Sequence, residues 1–332
     1  MPPEPLPSSD IHWIVTLAIA AHLLAQVGLA FRVIMRRLSL GETLAWILVV
    51  FVFPAAGLLV YLILGELRLG RRRANRFLEL YPPFEQWLAG HNHRHQVPRD
   101  QLGVECEPLA RLSQLSLGMP AIPGNQLELI DNWQDVFKHL AQDIDAAQHT
   151  CHLEFYIWHL GGEVDRIAEA LKRAAQRGVV CRVLVDSLDS RSFLRSEVGT
   201  NMRQAGVQIQ ATMTGSLLRM PFVRFDIRLH RKIVVIDDQL AYTGSLNLVG
   251  PRYFKKEAGV GQWVDAMVRV RGPAVEALNI IFLADWYVET DSELKDLETK
   301  SSDSRLASTN NSVVQVLPSG PAYHSGAIEQ VL

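Results

Sequence analysis

Two long apolar runs dominate the start of the chain. Ile11–Phe31 reads IHWIVTLAIAAHLLAQVGLAF and Thr43–Leu64 reads TLAWILVVFVFPAAGLLVYLIL, and neither contains Asp, Glu, Lys or Arg. A helix of about 20 residues, rising 1.5 Å per residue, spans a hydrocarbon core of roughly 30 Å. The pattern therefore predicts a two-helix transmembrane hairpin within residues 1–67, with helices at 11–31 and 43–64 and a tolerated Pro54 inside the second. The tail before the first run has no basic residue, which argues against a signal peptide. Arg32, Arg36 and Arg37 lie between the runs, whereas Arg68, Arg71, Arg72, Arg73 and Arg76 follow the second. By the positive-inside bias the larger group puts the remainder of the chain on the cytoplasmic side, its arginines close to anionic lipid headgroups.

Beyond the hairpin the periodicity changes. Residues 68–124 are expected as a juxtamembrane connector. Ala74–Leu88 has the apolar spacing of an interfacial amphipathic helix broken at Pro82 and Pro83. His91, His93 and His95 follow without a carboxylate or cysteine at ligand spacing, so a solvated connector is expected rather than a metal site. From Asn125 strands alternate with helices. Strands are predicted at 126–130, 153–158, 179–185, 207–209, 233–236, 241–243 and 266–270. Helical faces run through Trp133–Ile144, Val164–Ala175, Phe193–Ala205 and, opened by Pro273, Ala274–Trp286. Residues 125–294 are thus an α/β domain, a mostly β-sheet core flanked by helices. The polar stretch 295–311 reads as a linker. Residues 312–332 weakly repeat the opening of that domain and are expected to begin a second one, cut short at Leu332.

Composition narrows the function classes. Apolar residues make up 48%, charged residues 20%, and the net charge is −2, which excludes a disordered tail protein and argues against a general nucleic-acid binder. Cys106, Cys151 and Cys181 are too few for a disulfide scaffold, and Cys151 and Cys181 border apolar strands as buried thiols.

The chemistry concentrates in Leu229-His230-Arg231-Lys232-Ile233-Val234-Val235-Ile236-Asp237, followed by Gly244-Ser245-Leu246-Asn247. Residues two apart on a strand share a face, so His230 and Lys232 are expected to project together. Gly244 and Ser245 lie in a turn after the next strand, with Asn247 just beyond. One nucleophile or base, one cation and two neutral donors around a point suit a phosphoryl group.

The spacing His-x-Lys-x4-Asp-x6-Gly-Ser-x-Asn resembles the signature of the phospholipase D superfamily, with His230, Lys232, Asp237, Gly244, Ser245 and Asn247 all in place. The likeness extends to its membrane-bound bacterial cardiolipin synthases through Ala45-Trp46, Pro54-Ala55-Ala56-Gly57, Gly65-Glu66-Leu67, the run Glu154–Trp158, Arg252-Tyr253-Phe254, the run Val260–Asp265 and Asp285-Trp286. The resemblance implies a phospholipase D-like domain in a bacterial inner membrane. It implies phosphatidyl transfer between two phosphatidylglycerol molecules, giving cardiolipin and glycerol through a phosphatidyl-histidine, with no cofactor and no metal. It makes His230 one catalytic histidine, Lys232, Ser245 and Asn247, beside Gly244, the phosphate-binding set, and Asp265 the acid that holds an imidazole. Asp237 is carried over with the motif, although a turn-fixing role through backbone N–H groups suits it better. Glu154 stays open between supporting the site and pairing with a core arginine.

A second His-x-Lys motif is absent from the sequence. The chain therefore carries one half-site, to be completed by a homodimer or a missing second catalytic half. Another phospholipase D-type phosphodiesterase or nuclease, or an inactive membrane subunit, is the alternative. The expected partners are phosphatidylglycerol, other phospholipids and the membrane, with no nucleic acid. Arg219, Arg224, Arg228 and Arg231, interleaved with Leu217, Leu218, Met220, Phe222 and Phe225, are expected to meet anionic lipid beside the site. Trp158, Trp263 and Trp286 are expected as packing residues.

Overall fold

A computed structural model of the chain describes residues 8–36, 38, 40–65, 71–94, 97, 102–212, 229–250, 259, 263–290, 292 and 312–318. Residues 8–65 form one unit and the described residues from 71 onward form another.

The first unit contains α1 (Ser8–Met35), α2 (Leu40–Val52) and α3 (Pro54–Leu64). Among the described residues one helix, His12–Met35, is long and apolar enough to cross a membrane. The second apolar run is not the single helix expected at 43–64: it divides at Phe53. The reason is Pro54, at the first position of α3. Proline carries no N–H, so the carbonyl of Val50, four residues earlier, loses its helical donor. The Gln26 side chain of α1 replaces it, donating from Nε2 to Val50 O at 2.9 Å, and Gln26 is itself buried. Val33, Val50 and Tyr61 form the core of this bundle, and the Trp46 ring meets Tyr61 edge-on at 5.2 Å.

The second unit adds α4 (Arg71–Arg94), α5 (Glu107–Leu117), β1 (Ala121–Ile130), α6 (Trp133–Ala146), β2 (Thr150–Phe155), α7 (Glu163–Gln176), β3 (Val180–Asp186), α8 (Arg191–Leu194), α9 (Glu197–Gln204), β4 (Gln208–Thr212), β5 (Ile233–Ile236), β6 (Leu240–Gly244), β7 (Met267–Arg271), α10 (Ala274–Glu289) and β8 (Ser312–Gln315). The sheet order is β4-β3-β2-β5-β6-β7-β1-β8. β2, β3 and β4 run parallel, and every pairing from β2–β5 outward to β8 is antiparallel. Alternation splits each strand between two cores. Cys151, Leu153, Phe155, Val234, Ile236 and Tyr242 face the α6 and α7 side, while Ile233, Val235 and Ala241 face α10. The mixed α/β class, a sheet flanked by helices, is the one expected.

Several local expectations change. The helix predicted over 193–205 is two short pieces, α8 and α9, separated where Ser196 caps α9 through its hydroxyl and Gly199 N. The strand expected at the start of residues 312–332 is β8, which pairs antiparallel with β1 as the eighth strand of this sheet. α4 continues through Pro82 and Pro83 rather than breaking there. It packs on α10: Arg73 forks onto Glu289 with two 2.8 Å bonds, and Arg76 donates to the carbonyls of Tyr287 and Ser292 at 2.7 Å. These cations meet the carboxyl end of α10, where helix carbonyls favour positive charge. Arg73 and Arg76 are therefore bonded to the carboxyl end of α10.

His152, on the α10 side of β2, is 3% exposed, bonds Asn279 Oδ1 through Nδ1 at 2.8 Å and stacks on Phe282 at 4.7 Å. Burial pushes its pKa down to about 4, against the smaller opposing effect of the Asn279 bond. The unfolded chain, with a histidine near 6.5, then binds more protons than the native one between pH 6.5 and 4. Stability is complete above pH 6.5 and falls as pH drops through that window, by about 3 kcal/mol at most. Denaturant melts of His152→Gln should lack this increment of the acid loss. A second prediction concerns the helix break: Gln26→Leu should cost about 1–3 kcal/mol by stranding the Val50 carbonyl. The same change in a Pro54→Ala background, which restores the backbone donor, should cost much less in a double-mutant cycle.

Candidate active site

β2 and β6 end, and β5 and β7 begin, at one edge of the sheet. This follows from the antiparallel register, in which Glu154 opposes Ile233, Ile233 opposes Thr243, and Gly244 opposes Met267. His230, Lys232, Gly244, Ser245, Asn247 and Asp265 all lie on the segments at that edge. His230 and Lys232 stand in the lead-in to β5, just ahead of the strand expected at 233–236. The exposed His230 ring lies 4.4 Å from the Tyr156 ring, tilted by 36°. Lys232 donates from Nζ to His230 O at 2.5 Å, and its Nζ is 5.7 Å from the same Tyr156 ring. Partial burial pushes the Lys232 pKa down, while the negative charges of Asp265 and Glu154 oppose that shift.

The donors are held by backbone. Ser245 N donates to Ala266 O at 3.0 Å, and Ser245 Oγ accepts from Ala266 N at 3.1 Å, so the residue after Asp265 is clasped to the end of β6. Asn247 is 8% exposed and its Oδ1 accepts from Ile157 N at 3.1 Å. Leu248 N and Ile157 O bond at 3.0 Å, which extends the clasp to the segment after Tyr156. Gly244 is required by close approach: a Cβ there would lie 2.2 Å from Ala266 O and 2.8 Å from Met267 Cα.

Asp237 is not brought to this edge. It sits at the far end of β5, four residues or roughly 13 Å away along the strand. Its left-handed backbone, φ 52°, opens the turn into β6, and its carboxylate accepts from Gln148 N at 2.8 Å, His149 N at 2.7 Å and Thr150 N at 2.8 Å. That is the turn-fixing role, and it removes Asp237 from contact chemistry at His230.

Arg231, expected to face lipid, is instead turned inward. It hydrogen-bonds Asp285 of α10, and its Nη1 lies 3.9 Å from Glu154 Oε1. Glu154 is fully buried. Its carboxyl is held well above the usual range, first by burial and then by the nearby Asp285 charge. Tyr156 and Asp285 are the residues whose place at the site the sequence did not reveal. The signal for Glu154 was present: one acid inside the apolar run Leu153–Trp158. Trp158 is a packing residue, stacked on Phe193 at 4.2 Å and buried, and Trp286 is 6% exposed. Arg219, Arg224 and Arg228, with their interleaved apolar neighbours, lie outside the described residues. Among the described residues no group of three or more His, Cys, Asp or Glu is arranged to hold a metal ion.

Residues 140–285 match the family model for the cardiolipin synthase, phospholipase D-like domain, and residues 24–66 match the phospholipase D-nuclease N-terminal model. Cardiolipin synthase A of Yersinia pseudotuberculosis serotype O:1b is 37% identical over 316 residues, 95% of this chain and 65% of that protein. The protein of the same name from Yersinia pestis gives the same figures. The chain belongs to the phospholipase D superfamily as a homologue of cardiolipin synthase A. It carries a single phospholipase D-type half-domain. It spans about two thirds of the length of the curated relatives it matches. The phospholipase D family member Nuc of Salmonella typhimurium covers 51% of the chain at 17% identity, with a TM-score of 0.35.

The closeness at Gly244 generates a test. Gly244→Ala should cost about 1–3 kcal/mol through overpacking against the Ala266 carbonyl. It should also part Ser245 from Ala266, read as faster amide exchange at Ala266 relative to the unaltered β5–β6 turn.

Proposed function

We propose that this chain supplies one half of a phosphatidyl-transfer site that makes cardiolipin and glycerol from two phosphatidylglycerol molecules. The observation that carries the proposal is the gathering of His230, Lys232, Ser245, Asn247 and Asp265 at one sheet edge, in a chain 37% identical to cardiolipin synthase A.

A neutral His230 imidazole nitrogen attacks the phosphorus of the first phosphatidylglycerol. A P–N bond forms and the P–O bond to the terminal glycerol breaks. The leaving alkoxide takes its proton from a second histidine, supplied by another half-site or a second copy of the chain. That histidine then removes the proton from the glycerol hydroxyl of a second phosphatidylglycerol. The hydroxyl oxygen attacks phosphorus, the P–N bond breaks, and His230 returns to its starting form. Lys232 offsets charge on the non-bridging oxygens, and Ser245 and Asn247 donate to them. Asp265, held beside Ser245 by the Ala266 clasp, steadies the imidazole that becomes cationic. α1 and the paired α2–α3 run anchor this chemistry in a bacterial inner membrane as a hairpin, with the catalytic domain on the cytoplasmic side.

Phosphatidylglycerol liposomes carrying the chain, alone and with a second His-x-Lys half-domain added, provide the test. Cardiolipin and free glycerol should appear in equal amounts in at least one arm, and His230→Ala should lower both by about a thousandfold or more. Free phosphatidic acid in place of cardiolipin, or product undiminished by His230→Ala, would overturn the proposal.

A further inference from the structure

Between the two motif residues that face outward stands one that faces inward. His230 is exposed over Tyr156, Lys232 bonds back to the His230 carbonyl, and Arg231 points into the domain. There its guanidinium meets acids from two separate elements: Asp285 of α10 and Glu154 of β2. Its exposure is 17%, that of the Asp285 side chain 16%, and that of Glu154 zero. The lead-in 229–232 lies outside the strand ladder, so β-pairing does not fix it. Something else must, because a site that binds a phosphoryl group needs its nucleophile and cation held to a fraction of an ångström.

We propose that Arg231, gripped by Asp285 and walled by the buried Glu154, is the positioning residue that sets His230 and Lys232 in place. The proposal rests on the catalytic reading of His230 given above, and it adds Arg231, Asp285 and Glu154 to the site. The charge balance supports it. Arg231 makes a hydrogen-bonded ion pair with Asp285, whereas Glu154 stands 3.9 Å off and also feels the Lys232 charge. Arg231 and Asp285 are in direct contact and form a neutral pair, while burial and the nearby Asp285 charge push the Glu154 carboxyl up. The arrangement assigns unequal parts to the two acids: the charge of Asp285 is needed, and that of Glu154 is not. Arginine is needed rather than lysine, because its rigid planar guanidinium fixes the direction of its bond to Asp285, which a flexible ammonium does not.

The experiment reads His230 directly, so it does not depend on turnover. The detergent-solubilised chain is treated with diethyl pyrocarbonate, and modification at His230 is followed by peptide mass spectrometry beside ¹⁵N-histidine spectra. Arg231→Lys and Asp285→Asn should raise the His230 modification rate about fivefold or more and move its resonances. Glu154→Gln, which keeps the buried wall and removes the carboxyl 3.9 Å from Arg231, should leave both within a factor of two. Should Asp285→Asn fail to fold, Arg231→Lys and Glu154→Gln still decide the matter. A His230 signal indifferent to Arg231→Lys would overturn the proposal, as would a Glu154→Gln variant disturbed as much as the others. Phosphatidylglycerol turnover, run in parallel, separates the two claims. If His230→Ala abolishes turnover while Arg231→Lys leaves His230 unmoved, the positioning role fails and the function stands. If Arg231→Lys disturbs His230 while His230→Ala retains full turnover, the function fails and the positioning role stands.

Discussion

The seam between β2 and β5 is the constraint on which the rest of the structure depends. It is where a parallel three-stranded block meets an antiparallel one, and it is buried on both faces. Both of its ends are tied by side chains that accept backbone N–H groups across it. Asp237, at the end of β5, takes three amides that lead into β2. Asn247, beyond β6, takes the amide of Ile157 just past β2. A one-residue slip along this seam would exchange every side chain between faces. It would send Glu154 into the α6 and α7 core and uncouple Tyr156 from His230. The motif Asp and Asn thus serve the site from opposite ends, one as a register pin and one at the reacting edge.

The strand and helix pattern was legible because apolar alternation is strong in a sheet with a core on each face. The expected strand at 233–236 is β5 itself, and the expected helix at 133–144 falls short of α6 by two residues. The motif was legible for a different reason: its residue types are chemically demanding at fixed spacing. What stayed hidden were relations between distant segments. Nothing near Arg231 in sequence announces that Asp285, 54 residues on, turns it inward. Its neighbours are arginines and large apolar residues, which favoured a lipid-facing reading. The bonds of Arg73 and Arg76 were hidden in the same way, since a cation's partner at a helix end more than 200 residues away leaves no local trace. Pro54 was read as a tolerated kink, but the break it makes is complete, and its repair by Gln26 needs a polar residue whose meaning appears only in the packed bundle.

These cases share one physical logic. A charged or polar group placed away from water needs a partner, and in this chain the partner is repeatedly supplied by a different element. Gln26 serves the broken helix, Asn279 serves His152, Asp285 serves Arg231, and Glu289 serves Arg73. Three of these four partners lie on α10, which also closes one core of the sheet. α10 therefore joins the long helix α4 at its carboxyl end to the His230 segment one turn earlier, through Asp285.

The most direct measurement is a search for the phosphatidyl group on the protein. The chain, alone and with a second His-x-Lys half-domain, is mixed with phosphatidylglycerol liposomes, quenched at alkaline pH where a P–N bond survives, digested and analysed by mass spectrometry. The expected result is a phosphorus-containing adduct on the peptide bearing His230, lost in His230→Ala. An adduct on any other residue, or cardiolipin formed at full rate by His230→Ala, would contradict it.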